Sequence, residues 1–193
     1  MKVNDKTVAV DNDFISHISD TSMNIDDIIK NMREIFMHFD MVAIIHPLVY
    51  KYEVPIGNQR FNKIFDAQVI QIIEFKDVFP ENSEEKLYYI YLVKELFGSL
   101  SGEQMPFSDD EILCSWIRGK SLGEIHSLSM CLICDSSLFL SDDNDSKKLK
   151  KIIEQKNLGK INVYNRKELM ETYRSSGGNS VSRTALRRLA HSI

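Results

Sequence analysis

The sequence predicts an α/β fold in which helices cover both faces of a central parallel sheet. Short apolar segments typical of buried strands alternate with segments whose apolar residues recur every three or four positions, as in amphipathic helices. Strands and helices in alternation favour a parallel sheet with helices on each side. The length of 193 residues and the hydrophobic content of 43% suffice for one domain with a substantial core, or one domain plus an appendage.

The first half of the chain contains two predicted strands and two predicted helices. Asn24 is a favourable N-cap for the first of these helices. Pro47 suits the first position of the second helix, which would point Glu53 toward the strand edge where Asp11 lies. The predicted strands and helices are Thr7–Val10, Asn24–Phe39, Met41–Ile45 and Pro47–Glu53.

Residues 56–118 are predicted to form a helical insertion. Within it, the apolar segment Ala67–Phe75 is compatible with a strand or with a helix. Capping boxes near Ser83 and at Ser108 indicate two further helices, the second of which continues to Trp116.

The rest of the chain returns to alternating strands and helices. A helix begins at Gly123-Glu124, and the strand that follows it ends in Asp142 and Asp143. Ligands of open α/β sheets bind beyond the carboxyl ends of the strands, so these acids are expected to face one crevice. The later predicted elements are Leu138–Leu140, Lys147–Gln155, Ile161–Val163 and Arg166–Tyr173.

The Ser- and Gly-rich residues 175–180 are predicted to be a flexible hinge. They would separate a domain of residues 1–174 from a basic C-terminal tail, in which Val181–Ile193 is expected to form a small helix; hinge and tail together are residues 175–193. Residues 172–193 contain no acid. Three roles for the tail stay open: a solvated end, a clamp for RNA, or a segment that docks on a partner.

Charge and cysteine content narrow the classes of protein. The net charge of −4 and the pI near 5.8 offer nucleic acid no broad attraction, so its binding would need a local basic patch or metal ions. Cys131 and Cys134 lie three apart in a predicted helix, where core packing is favoured over a zinc site. No segment approaches the roughly 18 apolar residues of a membrane span, and Met1–Asp5 is unlike a signal peptide. We expect a cytoplasmic protein without membrane contact.

Four acidic motifs follow one another along the chain: Val8–Asp13, Ile44–Glu53, Gly123-Glu124 and Leu138–Asp143. In their order and character these motifs resemble those of PIN-domain nucleases. The last two resemble the branch that contains toxin–antitoxin ribonucleases. The resemblance implies a three-layer sandwich whose catalytic, metal-binding acids are Asp11, Glu53, Glu124 and Asp142, with Asp143 as a neighbouring ligand.

The resemblance also implies an activity and partners. It implies an endoribonuclease that uses Mg²⁺ or Mn²⁺ to hydrolyse RNA, with an antitoxin protein and a second copy of the chain as possible partners. The chain departs from the family at Asp13, where Ser, Thr or Asn is frequent, and in the length of its segment 55–118. The residues expected to contact the substrate are Asn12, Asp13, Lys147, Lys148, Arg183, Arg187 and Arg188.

Carboxylates from separate elements suit this chemistry. Mg²⁺ and Mn²⁺ prefer oxygen ligands and are usually held by carboxylates together with phosphate oxygens of the substrate. Without metal, clustered acids would repel an anionic phosphodiester and raise one another's pKa. A bound metal would reverse the local field and activate a water for in-line attack.

Each acid also has a purely structural interpretation. Ser121–Glu124 is a capping-box pattern, and Asp142–Asp145 resembles a loop with an N-cap. Asp11 could end a strand in a turn, and Glu53 could lie on a solvated helix face. Only their joint order favours a cluster. Two other functions stay open: a non-catalytic PIN-like module that binds RNA or protein, and a receiver-type phosphoacceptor domain.

Two weaker motifs carry little weight. Gly119-Lys120-Ser121 mimics the end of a phosphate-binding loop, but Cys114 stands where that loop needs glycine. The histidines show no metal-binding spacing, and His126 is predicted to lie on a helix surface.

Overall fold

The protein is built around one sheet of five parallel strands. The computed structural model describes residues 6–55 and 57–191. The N-terminal segment Met1–Asp5, expected to be unlike a signal peptide, lies outside them. The strands lie in the order β3-β2-β1-β4-β5, which confirms the predicted parallel α/β class. They are β1 (Thr7–Val10), β2 (Val42–Ile45), β3 (Ile70–Ile72), β4 (Leu138–Leu140) and β5 (Asn162–Tyr164).

Helices cover both faces because the strand residues alternate between two apolar cores. Val8 and Val10 belong to one core and Ala9 to the other, as expected for a parallel strand buried on both faces. The first core includes helices α1 (Asn12–Ser19), α2 (Ile25–His38), α4 (Gln59–Asp66), α9 (Arg166–Ser175) and α10 (Arg183–Ala190). The second includes α6 (Glu84–Ser101), α7 (Leu122–Ile133) and α8 (Asn144–Gln155). The short helices α3 (Pro47–Tyr52) and α5 (Phe75–Val78) follow β2 and β3.

The strand order creates a crevice between β1 and β4. From β1 the chain proceeds outward through β2 to β3, then returns to place β4 on the other side of β1. At such a reversal of strand order the connections diverge, which opens a crevice at the carboxyl ends of the strands. The backbone N–H of Asp11 donates to the Leu140 carbonyl at 2.9 Å, which holds the two strand ends together.

The prediction of a helical insertion needs correction. Within Ala67–Phe75, left open between strand and helix, β3 pairs with β2 and forms an edge of the sheet. The residues after Ser108 form turns, although Glu111 accepts from the Ser108 backbone N–H at 2.9 Å as a capping box requires. The predicted helix there is absent because the chain leaves the helical path before Trp116.

The C-terminal segment is part of the domain and not an appended tail. Leu186 and Leu189 of α10 are buried in the first core, against α9. In the predicted hinge, Gly178 lies so close to Tyr173 that a Cβ atom there would be 2.5 Å from the ring. The Tyr173 hydroxyl accepts from the Val181 backbone N–H at 3.3 Å. These contacts bind the segment to α9. Within the described residues, no helix is long and apolar enough to cross a membrane.

Candidate functional site

Asp11 lies at the centre of the crevice, immediately after β1. The residue is 2% exposed, and its side chain makes no capping hydrogen bond to α1. The Ser141 hydroxyl donates to Asp11 Oδ2 at 3.2 Å. Asp11 Oδ1 is buried and has no hydrogen-bond partner among the residues that the structure describes. One carboxylate oxygen of Asp11 is therefore hydrogen-bonded, and the other is buried without a hydrogen bond.

Glu53 and Gly123 lie against each other across the crevice. Glu53 ends α3, where its backbone N–H donates to the Val49 carbonyl at 2.9 Å. A Cβ atom at Gly123 would lie 2.9 Å from Glu53 Oε1 and 3.2 Å from Oε2. Such contacts are closer than a methyl group allows, so glycine is the residue that lets the Glu53 carboxylate approach the start of α7.

Glu124 is not the cap of its helix. Ser121, the N-cap of α7, has a left-handed backbone with φ of 50° and makes no capping hydrogen bond through its side chain. Its hydroxyl donates instead to Asp145 Oδ2 at 2.7 Å. The capping-box interpretation is therefore wrong, and the 8% exposed Glu124 is available to the crevice.

Ser141 links the acids that follow β4 with those that follow β1. Its hydroxyl lies 3.4 Å from Asp13 Oδ1 and accepts from the Asp143 backbone N–H at 3.1 Å. The Ser146 hydroxyl donates to Ser141 at 2.8 Å. Asp143 is the N-cap of α8 and accepts from the Asp145 backbone N–H at 2.7 Å. This network fixes the exit of β4 beside Asp13.

Burial and mutual repulsion raise the pKa of four of these acids. Burial is the largest cause in every case. The pKa of Asp11 lies well above its ordinary value, with Glu124 and Asp13 as further causes. The pKa of Glu53 is raised to about 7 and that of Glu124 to about 8, and the charge of Asp143 contributes to both. We call Asp11, Asp13, Glu53, Glu124 and Asp143 the acidic cluster.

Asp142, expected as a metal ligand, is engaged elsewhere. Its Oδ1 accepts from the Arg166 backbone N–H at 2.9 Å, and its Oδ2 forms an ion pair with the Arg166 guanidinium. His17 Nδ1 lies 2.7 Å from the same oxygen. Both members of the ion pair are largely buried, with side-chain exposures of 11% and 8%. Asp142 therefore joins β4 to α9 and α1, and Asp13 and Asp143 take its place in the cluster.

The residues expected to contact the substrate lie on three helices, α1, α8 and α10. Lys147 pairs with Glu168 at 2.8 Å, and Lys148 pairs with Asp145 at 2.6 Å. Three exposed arginines project from α10, and two of them line a groove of about 200 Å³ against α9. These are Arg183, Arg187 and Arg188. Asp13 belongs to the acidic cluster, whereas Asn12 lines a cleft beside Glu53.

The sequence interpretation missed this cleft. It has a volume of about 390 Å³, and its walls include Tyr52, Trp116 and Arg118 as well as Asn12 and Glu53. Two sequence signals were available: Tyr52 directly precedes Glu53, and Trp116 is the single tryptophan of the chain. Nothing in the local sequence joins these residues, because the loop 102–121 brings Trp116 to Tyr52 only in the folded chain.

His126 is buried and not on a helix surface as predicted. It is 1% exposed, and its Nδ1 lies 2.6 Å from the Tyr89 hydroxyl, which in turn lies 2.9 Å from His46 Nε2. Burial lowers the pKa of His126 to about 3 and that of His46 well below its ordinary value. Both imidazoles are therefore neutral and serve the core. Cys131 also packs in the core, as predicted, and all three cysteines are free thiols.

The acidic cluster offers the carboxylate oxygens that a divalent cation prefers, but these oxygens are not arranged in a preformed coordination geometry. Within residues 6–55 and 57–191, no three His, Cys, Asp or Glu side chains stand ready to hold a metal ion. The fit comes from the unsatisfied Asp11 Oδ1, since buried polar atoms normally have partners. Comparisons with protein families, characterised proteins and solved structures gave no match.

Proposed function

We propose that the protein is a metal-dependent endoribonuclease of PIN type, with the acidic cluster as its metal-binding site. The observation that carries the proposal is the buried Asp11 Oδ1, which lacks a hydrogen-bond partner among the described residues. Leaving a buried carboxylate unsatisfied beside other acids costs free energy. A divalent cation offsets both the desolvation and the repulsion, because it is the largest local charge in such a site.

Five acids would hold Mg²⁺ or Mn²⁺: Asp11, Asp13, Glu53, Glu124 and Asp143. Once bound, such an ion would attract a phosphodiester and lower the pKa of the attacking water. The chain itself positions the acids. Ser141 orients Asp11 and Asp13 through contacts of 3.2 and 3.4 Å, and Gly123 leaves room for the Glu53 carboxylate.

The sequence resemblance supports a more specific role as the toxin of a toxin–antitoxin pair. In that role the substrate would be cytoplasmic RNA, and an antitoxin and a second copy of the chain would be its protein partners. The exposed arginines of α10 would offer a surface for an acidic partner, since electrostatic complementarity favours specific encounter.

An alternative function is a non-catalytic PIN-like module that binds RNA or protein. Two observations favour it: Asp142 is engaged by Arg166, and no group of three metal-binding side chains is preformed in the described residues. Calorimetric titration with Mn²⁺ separates the two functions. A nuclease should bind the ion at the acidic cluster, whereas a degenerate module should bind it weakly or not at all.

The proposal is tested by replacing Asp11 with asparagine. Asparagine has the size of aspartate and keeps an oxygen that can accept from Ser141, so the Asp11→Asn variant should fold. Because it lacks the carboxylate charge, its Mg²⁺- or Mn²⁺-dependent cleavage of single-stranded RNA should fall by roughly 100-fold or more. The control is Asp20→Asn, at the exposed end of α1. Equal cleavage by Asp11→Asn and the wild type would exclude the proposed site.

A further inference from the structure

An open cleft adjoins the acidic cluster. Glu53 belongs to both, and Asn12 of the cleft follows Asp11 of the cluster. The cleft is also lined by aromatic and cationic side chains, those of Tyr52, Trp116 and Arg118. A molecule that enters the cleft therefore meets a carboxylate, aromatic rings and a guanidinium.

The aromatic wall is the outer end of a column of rings. Tyr52 and Trp116 are stacked with centroids 5.4 Å apart and planes inclined by 18°. Trp116 is stacked in turn on the buried His126 at 6.1 Å and 16°. The Tyr52 hydroxyl donates to the Cys114 carbonyl at 2.5 Å, which fixes the orientation of the ring. The column leads from the core to Tyr52, which is 36% exposed.

Two cationic side chains lie near the exposed end of the column of rings. The Lys51 ammonium lies 4.7 Å from the centre of the Tyr52 ring, and the exposed Arg118 stands in the wall of the cleft. An aromatic ring with a lysine ammonium over it and an arginine nearby suits single-stranded nucleic acid, because a base can replace the flexible Lys51 side chain on the ring and phosphates can contact the cations.

We propose that this cleft binds a nucleobase of single-stranded RNA, stacked on Tyr52, with Arg118 on a flanking phosphate. The inference rests on the proposed ribonuclease function and names the substrate subsite of the same crevice. A base held beside Glu53 places a neighbouring phosphodiester at the acidic cluster. Bases in a duplex are already paired and stacked, so the cleft selects unpaired RNA. Stacking tolerates any base, so it confers little sequence specificity.

Trp116 reports on the cleft directly because it is the only tryptophan of the chain. The experiment uses the full chain as the Asp11→Asn variant, with Mg²⁺ present, and titrates its tryptophan fluorescence with a single-stranded hexauridylate. Binding should change the fluorescence of Trp116. Adding Tyr52→Leu, which removes the aromatic ring, should weaken binding by about 5- to 100-fold, the range for loss of one base–aromatic stack. Adding Tyr52→Phe should retain most of the affinity.

The matched control is Tyr91→Ala. Tyr91 is 48% exposed and is stacked on Tyr88 of α6 at 5.9 Å, but it does not line the cleft. Its replacement should leave the affinity unchanged. A Tyr52→Leu variant that binds as tightly as Tyr52→Phe would overturn the inference, as would equal affinity for a duplex of the same length.

Failure of this inference and failure of the ribonuclease proposal are distinguishable. Cleavage by the wild type that depends on Asp11 but not on Tyr52 removes the nucleobase subsite and leaves the nuclease. Oligonucleotide binding that depends on Tyr52 in a chain without metal-dependent cleavage supports the subsite and assigns it to a non-catalytic module. In an active enzyme, Tyr52→Leu should raise KM more than it lowers kcat, since it removes binding and not the metal ligands.

Discussion

The short distance between Gly123 and the Glu53 carboxylate gives one glycine a direct role in the acidic cluster. The Gly-Glu pair was recognised in the sequence, where its second member was expected to act. The structure adds that the first member acts as well, because a Cβ atom at Gly123 would lie 2.9 Å from Glu53 Oε1. The obstructing atoms are the end of a flexible side chain, so a larger residue would displace the carboxylate and not the backbone.

Replacing Gly123 with alanine should therefore lower activity while the fold is retained. Glu53 would have to move by a few tenths of an ångström or more, and misplaced ligands at such sites cost about 10- to 100-fold in activity or metal affinity. Alanine in a helix is more favourable than glycine by up to about 1 kcal/mol, so Tm should not fall. Cleavage assays and thermal unfolding measure the two effects. The control is Gly98→Ala in α6, where the added Cβ atom would meet only Glu103 O at 3.5 Å; an equal loss in both variants would contradict this explanation.

At the scale of elements, the sequence predicted the strands with strong patterns and left the segment that contains β3 open between strand and helix. The apolar segments at β1, β2 and β4 and the capping residue of α2 were legible locally. The three-residue β3 has too few positions to show a period, so only its pairing with β2 defines it. The docking of α10 was equally hidden, because the contact of Gly178 with Tyr173 depends on the fold and not on local propensity.

Which of the adjacent Asp142 and Asp143 joins the acidic cluster is decided by the packing of helices around the end of β4. The side chains of consecutive residues at the end of a strand point in different directions. Here Arg166 of α9 and His17 of α1 contact the side chain of Asp142. Neither partner is near Asp142 in the sequence, so the sequence offered no means to decide. Arg166 also donates to the His17 carbonyl at 3.2 Å, which makes this ion pair a junction of three elements.

Replacement by asparagine should therefore have different effects on stability and metal binding at Asp142 and at Asp143. Asp142→Asn would remove the buried charge that pairs with the Arg166 guanidinium, so the free energy of unfolding should fall by about 2–4 kcal/mol. Asp143→Asn should change stability little, since asparagine is also a good N-cap for α8, but it should weaken Mn²⁺ binding. Chemical denaturation and calorimetry measure these effects. A stable Asp142→Asn variant that no longer binds Mn²⁺ would restore Asp142 as a ligand.

At the scale of the whole molecule, we expect the acidic cluster to make stability depend on pH and on divalent cations. The folded-state pKa of Glu53 is about 7 and that of Glu124 about 8, both above the ordinary value of 4.5. The unfolded chain releases these protons near pH 4.5, whereas the folded chain retains that of Glu53 up to about pH 7 and that of Glu124 up to about pH 8. The folded state then binds more protons, so the free energy of unfolding of the metal-free protein falls as pH rises through this window.

Replacing Glu124 with glutamine should remove much of this pH dependence. The variant should match the wild type at pH 4.5 and exceed it at pH 8 by about 2–4 kcal/mol, because it no longer has to ionise a buried acid. In a chain of this length that corresponds to a rise in Tm of roughly 5–10 °C.

Saturating Mn²⁺ should raise the Tm of the wild type at pH 8 and that of the variant less, since binding to the folded state stabilises it by mass action. Thermal unfolding across the pH range, with the exposed Glu81→Gln as control, measures both effects. A wild type whose Tm is level from pH 5 to 8 and insensitive to Mn²⁺ would show that these carboxylates neither repel one another nor bind a cation.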